Sequence, residues 1–224
     1  IMYHYDLGND FYKIWLDKTM TYSSGLFKKD DESLSKAQEN KYQLLIDQLK
    51  IKSHHKILEI GCGWGGFAEY AAKKIGCRIK GITISPSQLK FAKSRIKKQG
   101  LEDKVSLELC DYRDLKGTYD RVVSIEMIEA VGEKYWLDYF KKIKQVLTKD
   151  GMAGIQVILI NDKSYERYSN SVDFIQRYVF PGGMLPSQQK LDENYIKTGL
   201  IEIESNSFGN SYAKTLGIWH KDFV

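Results

Sequence analysis

Three glycines at alternate positions, Gly61, Gly63 and Gly65, follow the apolar run Ile57-Leu58-Glu59-Ile60 and precede the helix-like stretch Phe67-Ala68-Glu69-Tyr70-Ala71-Ala72. Strand, tight turn and helix in that order leave backbone N–H groups exposed at a helix N-terminus, which favours a polar or anionic ligand group. Glycine is needed where φ is positive or where a ligand approaches the main chain closely. The chemistry on offer is a cradle for a nucleotide-like ligand. Two acids further on, Glu126 and Glu129, lie three apart and share a face if 125–131 is helical. Cys62, Cys77 and Cys110 show neither zinc spacing nor an even disulfide framework, so no metal site is expected and a reducing cytoplasm is the expected setting.

The elements that must position these residues alternate. Residues 56–60, 78–82, 104–110, 120–125 and 151–160 read as strands, and 65–75, 86–99 and 135–147 as helices. Ser85 is placed to cap the second helix, with Pro86 at its first position and Gly100 at its end. Strands separated by helices predict an α/β fold, a doubly wound, mostly parallel sheet. The ends break the rhythm. Residues 1–50 carry two helix patterns, near 9–16 and 35–49, and form an expected N-terminal helical lid ahead of a 51–224 domain. Residues 161–190 form a long aromatic connection, expected to be a lid or binding element. The segments 200–207 and 212–216 alternate like an antiparallel strand pair. Residues 216–223 start to look helical where the chain stops, which reads as a C-terminal truncation.

Net charge is +5 over 224 residues, and lysines cluster at 28–29, 93–98 and 141–144. Solvated helix faces explain these clusters, and attraction to anionic lipid head groups is the sharper alternative. No nucleic-acid-binding signature is present, so nucleic acid is not an expected partner. No apolar run is long enough to cross a bilayer, and the start, Ile1-Met2-Tyr3-His4-Tyr5, has no signal-peptide pattern.

A nicotinamide-binding loop requires G-x-G-x-x-G and an acid about 20 residues later. Here the acid, Glu59, precedes the glycines. The E-x-G-x-G-x-G pattern resembles motif I of class I S-adenosylmethionine methyltransferases, a Rossmann-like fold. The second strand lacks the usual ribose-binding acid and offers Thr83 and Gln88 instead. Asp111 is placed to accept from an adenine amino group, and Tyr112 to cover a ring face.

Six segments identify the family more closely: His4-Tyr5-Asp6-Leu7-Gly8-Asn9-Asp10-Phe11-Tyr12, Met20-Thr21-Tyr22-Ser23-Ser24-Gly25, and residues 61–66, 81–88, 120–132 and 180–187. In this order they resemble the cyclopropane-fatty-acid synthase family, which includes mycolic acid cyclopropane synthases and related fatty-acid C-methyltransferases. The resemblance implies methyl transfer from S-adenosylmethionine to a cis double bond of an unsaturated phospholipid acyl chain, through a carbocation. It implies cofactor contacts from Tyr22, Ser23, Glu59, Gly61, Gly63, Gly65, Thr83, Gln88, Asp111, Tyr112, Arg113 and Ile125. Tyr5, Tyr22 and Tyr212 would face the developing cation. A bicarbonate, the family's base, would be held by Ser24, Glu129, Gln156, Tyr212 and the backbone of Ile158.

This chain departs from the family at several of these positions. Ser24 replaces a cysteine, Gln156 a histidine, Ala130 the histidine after the glutamate, and Glu126 a glycine. Glutamine cannot carry a proton away, so the proton route stays open, and with it the product: a cyclopropane, or a methylene or methyl branch. The expected setting is cytoplasmic, peripheral to the membrane with transient surface contact, and a homodimer is a further expectation. Two rivals remain, an amine N-methyltransferase on the same scaffold and a cofactor-binding protein without turnover.

Overall fold

The computed structural model describes residues 7–224. Lys56–Ile60 (β1), Arg78–Thr83 (β2), Val105–Leu109 (β3), Tyr119–Ile125 (β4) and Leu147–Gln156 (β5) form one parallel sheet in the order β3-β2-β1-β4-β5. The helices are Asn9–Trp15 (α1), Leu34–Gln48 (α2), Gly66–Ile75 (α3), Pro86–Lys98 (α4), Trp136–Val146 (α5), Asp162–Ser169 (α6), Gln188–Thr198 (α7) and Gly209–Phe223 (α8).

Both sheet faces are covered, as a parallel sheet requires. Leu45, Phe67, Ala71, Ala92 and Ile96 of α2, α3 and α4 pack on one face. Trp136, Phe140 and Ile143 of α5, with Tyr165 and Leu191, pack on the other. Ile57, Leu58 and Ile60 are completely or almost completely buried between the layers, each worth about 1.5–3 kcal/mol of burial. Winding runs outward from β1 to β3, then crosses to β4 and β5. The reversal beside β1 opens a crevice at the carboxyl ends of β1 and β4, where such sheets bind ligands.

The expected caps form: Ser85 Oγ accepts from Gln88 N at 3.3 Å, and Pro86 opens α4. The C-terminal antiparallel strand does not. Residues 200–207 take no regular structure, and Gly209–Phe223 is helical throughout. Ser211, Thr215 and Trp219 recur every four residues and are the buried face of α8. Their hydroxyls accept from Gly25 N (Thr215, 3.1 Å) and Phe27 N (Ser211, 3.1 Å), so the helical period wins. Ile201 and Ile203, which suggested a strand, are exposed.

The last strand also ends earlier than the expected 160, at Gln156. Beyond it the backbone turns to other partners: Ile158 N donates to Glu129 at 2.6 Å and Ile160 N to Pro186 O at 3.0 Å. The long connection after it is partly helical, with α6 and a π-helical turn over Ile175–Val179.

Candidate active site

The glycine loop has the conformations its spacing suggested, with φ of +79° at Gly61 and +51° at Gly63. A side chain added at Gly63 would meet no protein atom within 4 Å, so the space in front of this backbone is open to a ligand. Gly65 differs. It faces α4, and a Cβ there would lie 3.2 Å from the Ala92 methyl group. It is glycine for left-handed backbone (φ +81°) and close helix packing, and it does not line the cavity.

The other expected cofactor residues share one cavity of about 340 Å³: Tyr22, Ser23, Glu59, Gly61, Gly63, Thr83, Gln88, Asp111, Tyr112, Arg113 and Ile125. Glu59, the penultimate residue of β1, is almost completely buried, and burial pushes its carboxyl up to about 8. Its Oε2 has no hydrogen-bond partner, an acceptor or donor kept for something the protein does not supply. Thr83 Oγ1 donates to Gln88 Oε1 at 2.9 Å, so Gln88 has its amide N–H groups to offer a ligand. Asp111 is held by Arg113, at 2.9 Å from Nε and 2.7 Å from Nη2, which keeps its carboxyl below the usual range. These groups fit a nucleoside bearing hydroxyls and a charged amino-acid tail.

Asn9, at the start of α1, accepts from Trp64 Nε1 at 2.7 Å and from Ser87 Oγ at 3.3 Å, pinning α1 over the glycine loop. Above the cavity lies an aromatic layer. Trp15 stands edge-on to Tyr22 (5.1 Å) and Trp219 (5.3 Å), and Phe180 stacks on Tyr22 at 6.2 Å. Tyr212 packs against this layer. Burial and the nearby charge of Glu126 push its phenol well above the usual range. Tyr5 lies outside the described residues.

Ser24, Gln156, Ile158 and Glu129, four of the expected catalytic residues, meet beside this cavity around Glu126. Glu126 follows β4 with φ of +46°. Its Oε1 accepts from Ser24 N at 2.9 Å and from Gln156 Nε2 at 2.7 Å. The condition of a helix over 125–131 is not met: this left-handed residue breaks the chain direction and only a 3-10 turn, Ile128–Ala130, follows. Glu126 and Glu129 are nonetheless neighbours. Burial, then the charge of Glu126, pushes the Glu129 carboxyl up to about 8, while its Oε1 accepts from Ile158 N and its Oε2 has no partner.

Lys41 was also missed. It sits fully buried on α2, where its Nζ donates to Ser23 Oγ at 2.6 Å. A signal existed: Lys41 falls on the same stripe as Leu34, Ala37 and Leu45, the buried side of that helix.

Fold and cavity together define a class I methyltransferase-type protein, and the comparisons agree. A mycolic acid cyclopropane synthase solved in complex with SAH and CTAB superposes with a TM-score of 0.93 at 28% identity, covering 99% of this chain and 81% of that one. A family model described as mycolic acid cyclopropane synthetase matches residues 1–224, and the chain belongs to that family. A probable fatty acid methyltransferase of Pseudomonas putida is 38% identical over 99% of this chain and 57% of its own length. A tuberculostearic acid methyltransferase of Mycobacterium tuberculosis is 38% identical over 100% of this chain and 54% of its own length. The chain thus spans little more than half the length of these curated relatives.

Proposed function

We propose that this chain methylates a carbon–carbon double bond of an unsaturated lipid acyl chain, using S-adenosylmethionine. The observation that carries the reading is one cavity that runs from the Gly61–Gly63 backbone to the Glu126 carboxyl group under an aromatic layer. The names of the two relatives, fatty acid and tuberculostearic acid methyltransferases, support a lipid acceptor.

S-adenosylmethionine supplies an electrophilic methyl group. Glu59, Gln88 and Asp111 bind and orient its nucleoside end, and the glycine loop brings backbone N–H groups to it. The aromatic layer excludes water, which would quench a cation on the acceptor. The faces of Tyr22 and Tyr212 stabilise that positive charge by roughly 0.5–2 kcal/mol each. A base must then take one proton, from the new methyl to close a ring or from an adjacent carbon to leave a branch.

The residues do not fit a bound bicarbonate. Ser24 N and the Gln156 amide already donate to Glu126, and Ile158 N already donates to Glu129. An added anion would face two carboxyl groups with these donors spent. Glu126 itself occupies that place, and as the carboxylate with two donors it is the proton acceptor. Glu129, pushed up to about 8, keeps its proton at neutral pH, since two adjacent buried carboxyls share one proton more readily than they ionise together. Where the acceptor lies relative to Glu126 decides between ring and branch.

The exposed Val172, Phe174, Ile175 and Tyr178 support contact with a lipid surface near Phe180. Incubation with methyl-labelled cofactor and oleoyl phospholipid vesicles, without added bicarbonate, tests the reading. A one-carbon gain in the recovered acyl chains is expected, falling by about 100-fold or more in Glu126→Gln. No gain on lipid, with label appearing on amines instead, overturns it.

A further inference from the structure

We propose that Lys41 is a positioning residue for the proton acceptor: it fixes the Ser23–Ser24 segment that donates to Glu126, and its charge favours the carboxylate form of Glu126. The inference rests on the functional reading above for its catalytic meaning, but the linkage itself stands on geometry. Lys41 is 1% exposed, and its Nζ donates to Ser23 Oγ at 2.6 Å. One turn earlier on α2, Gln38 Nε2 donates to Ser23 O at 2.8 Å. The same helix face therefore grips Ser23 by hydroxyl and carbonyl. The next N–H along, that of Ser24, donates to Glu126 Oε1. A buried charge is tolerated only when paired or when it neutralises itself.

The titratable groups around this pair come from several elements. Lys41 feels Glu126, which follows β4, most strongly, then Asp17 after α1 and Glu59 from β1. Glu126 in turn faces Lys41, Glu129 from the 3-10 turn and Tyr212 from α8. Arg95 reaches Glu59 from α4. Burial raises the Glu126 carboxyl above its usual range, and the Lys41 charge is the largest influence against that rise. Burial pushes Lys41 itself down to about 7, with the three acids opposing that shift. In each of the two groups the charge of the other opposes the shift that burial drives.

Two readouts test this. In Lys41→Met, which keeps length and removes charge, the acid limb of the turnover–pH profile on oleoyl phospholipid vesicles should move up by about one pH unit or more. In the Glu126→Gln background the same substitution should add no further shift. With no lipid present, the carboxyl carbon signal of Glu126 in 13C-glutamate-labelled protein, assigned by its loss in Glu126→Gln, should be that of a carboxylate at pH 7 in the parent. It should be that of an acid in Lys41→Met. A protonated Glu126 in the parent, or an unchanged signal in folded Lys41→Met, overturns the proposal. If Lys41→Met does not fold, Glu126→Gln reads the same coupling in reverse: the 15N signal of Lys41 Nζ must titrate at lower pH, and an unchanged titration overturns it. Because the second readout needs no lipid, an intact Lys41–Glu126 link without lipid turnover sinks the functional reading alone.

Discussion

Gly63 and Gly65 look alike in the sequence and do different work. Both hold positive φ, which costs an L-residue roughly 1–2 kcal/mol. In front of Gly63 there is only the cavity, and in front of Gly65 there is Ala92. Gly63→Ala should therefore cost about 1–2 kcal/mol of stability and also weaken S-adenosylhomocysteine binding sharply. Gly65→Ala should cost at least as much stability while leaving affinity in the folded fraction nearly unchanged. Calorimetric titration beside thermal unfolding separates the two. The acids at the site predict a pH dependence. The Glu129 carboxyl stands near 8 in the folded chain against an ordinary 4.5. Between those values the unfolded chain releases a proton that the folded chain keeps, so this group makes stability fall as pH rises from about 4.5 to 8, by at most about 1.4 kcal/mol per pH unit. Urea unfolding across that range should show a shallower fall in Glu129→Gln, and identical slopes would contradict the assignment.

At the scale of elements, α8 packs behind the aromatic layer that includes Tyr22. Its Trp219 is 6% exposed, packed against Trp15 and 5.6 Å from the Tyr22 ring. Removing it empties a large buried volume between α1 and α8, which costs about 3–5 kcal/mol. Trp219→Ala should lower the unfolding temperature and, by freeing Tyr22, raise the KM for the cofactor. Unchanged kinetics in the folded variant would show that Tyr22 is held by other contacts. The α1 helix has only seven residues, too few to persist alone. Asn9 and the Trp64 indole hold it in place, which ties the roof of the cavity to the glycine loop.

For the whole molecule, the exposed apolar residues Val172, Phe174, Ile175 and Tyr178 form the candidate lipid-contact surface. Phe174 and Tyr178 are 68% and 66% exposed with rings 5.2 Å apart, in a chain of net charge +5. Sedimentation with anionic phospholipid vesicles should show weaker association for Phe174→Ser/Tyr178→Ser at unchanged stability, and equal association would place lipid contact elsewhere. Among the described residues no helix is long and apolar enough to cross a membrane.

The sequence alone determined the strand–glycine–helix cradle, the alternation that makes a parallel sheet, the Ser85 cap and eleven of the residues that line the cavity. These are local facts: periodicity, capping chemistry and the backbone freedom of glycine act within a few residues. Only tertiary structure decided what Glu126 does, because its donors come from Ser24 and Gln156, 102 and 30 residues away. It alone turned residues 209–223 into a helix, since Ser211 and Thr215 find their partners on the 25–27 segment. It also separated Gly65, packed on a helix, from Gly63, open to the ligand. A charge or a hydroxyl in a sequence carries no record of which distant group will be brought against it, and folding supplies that partner.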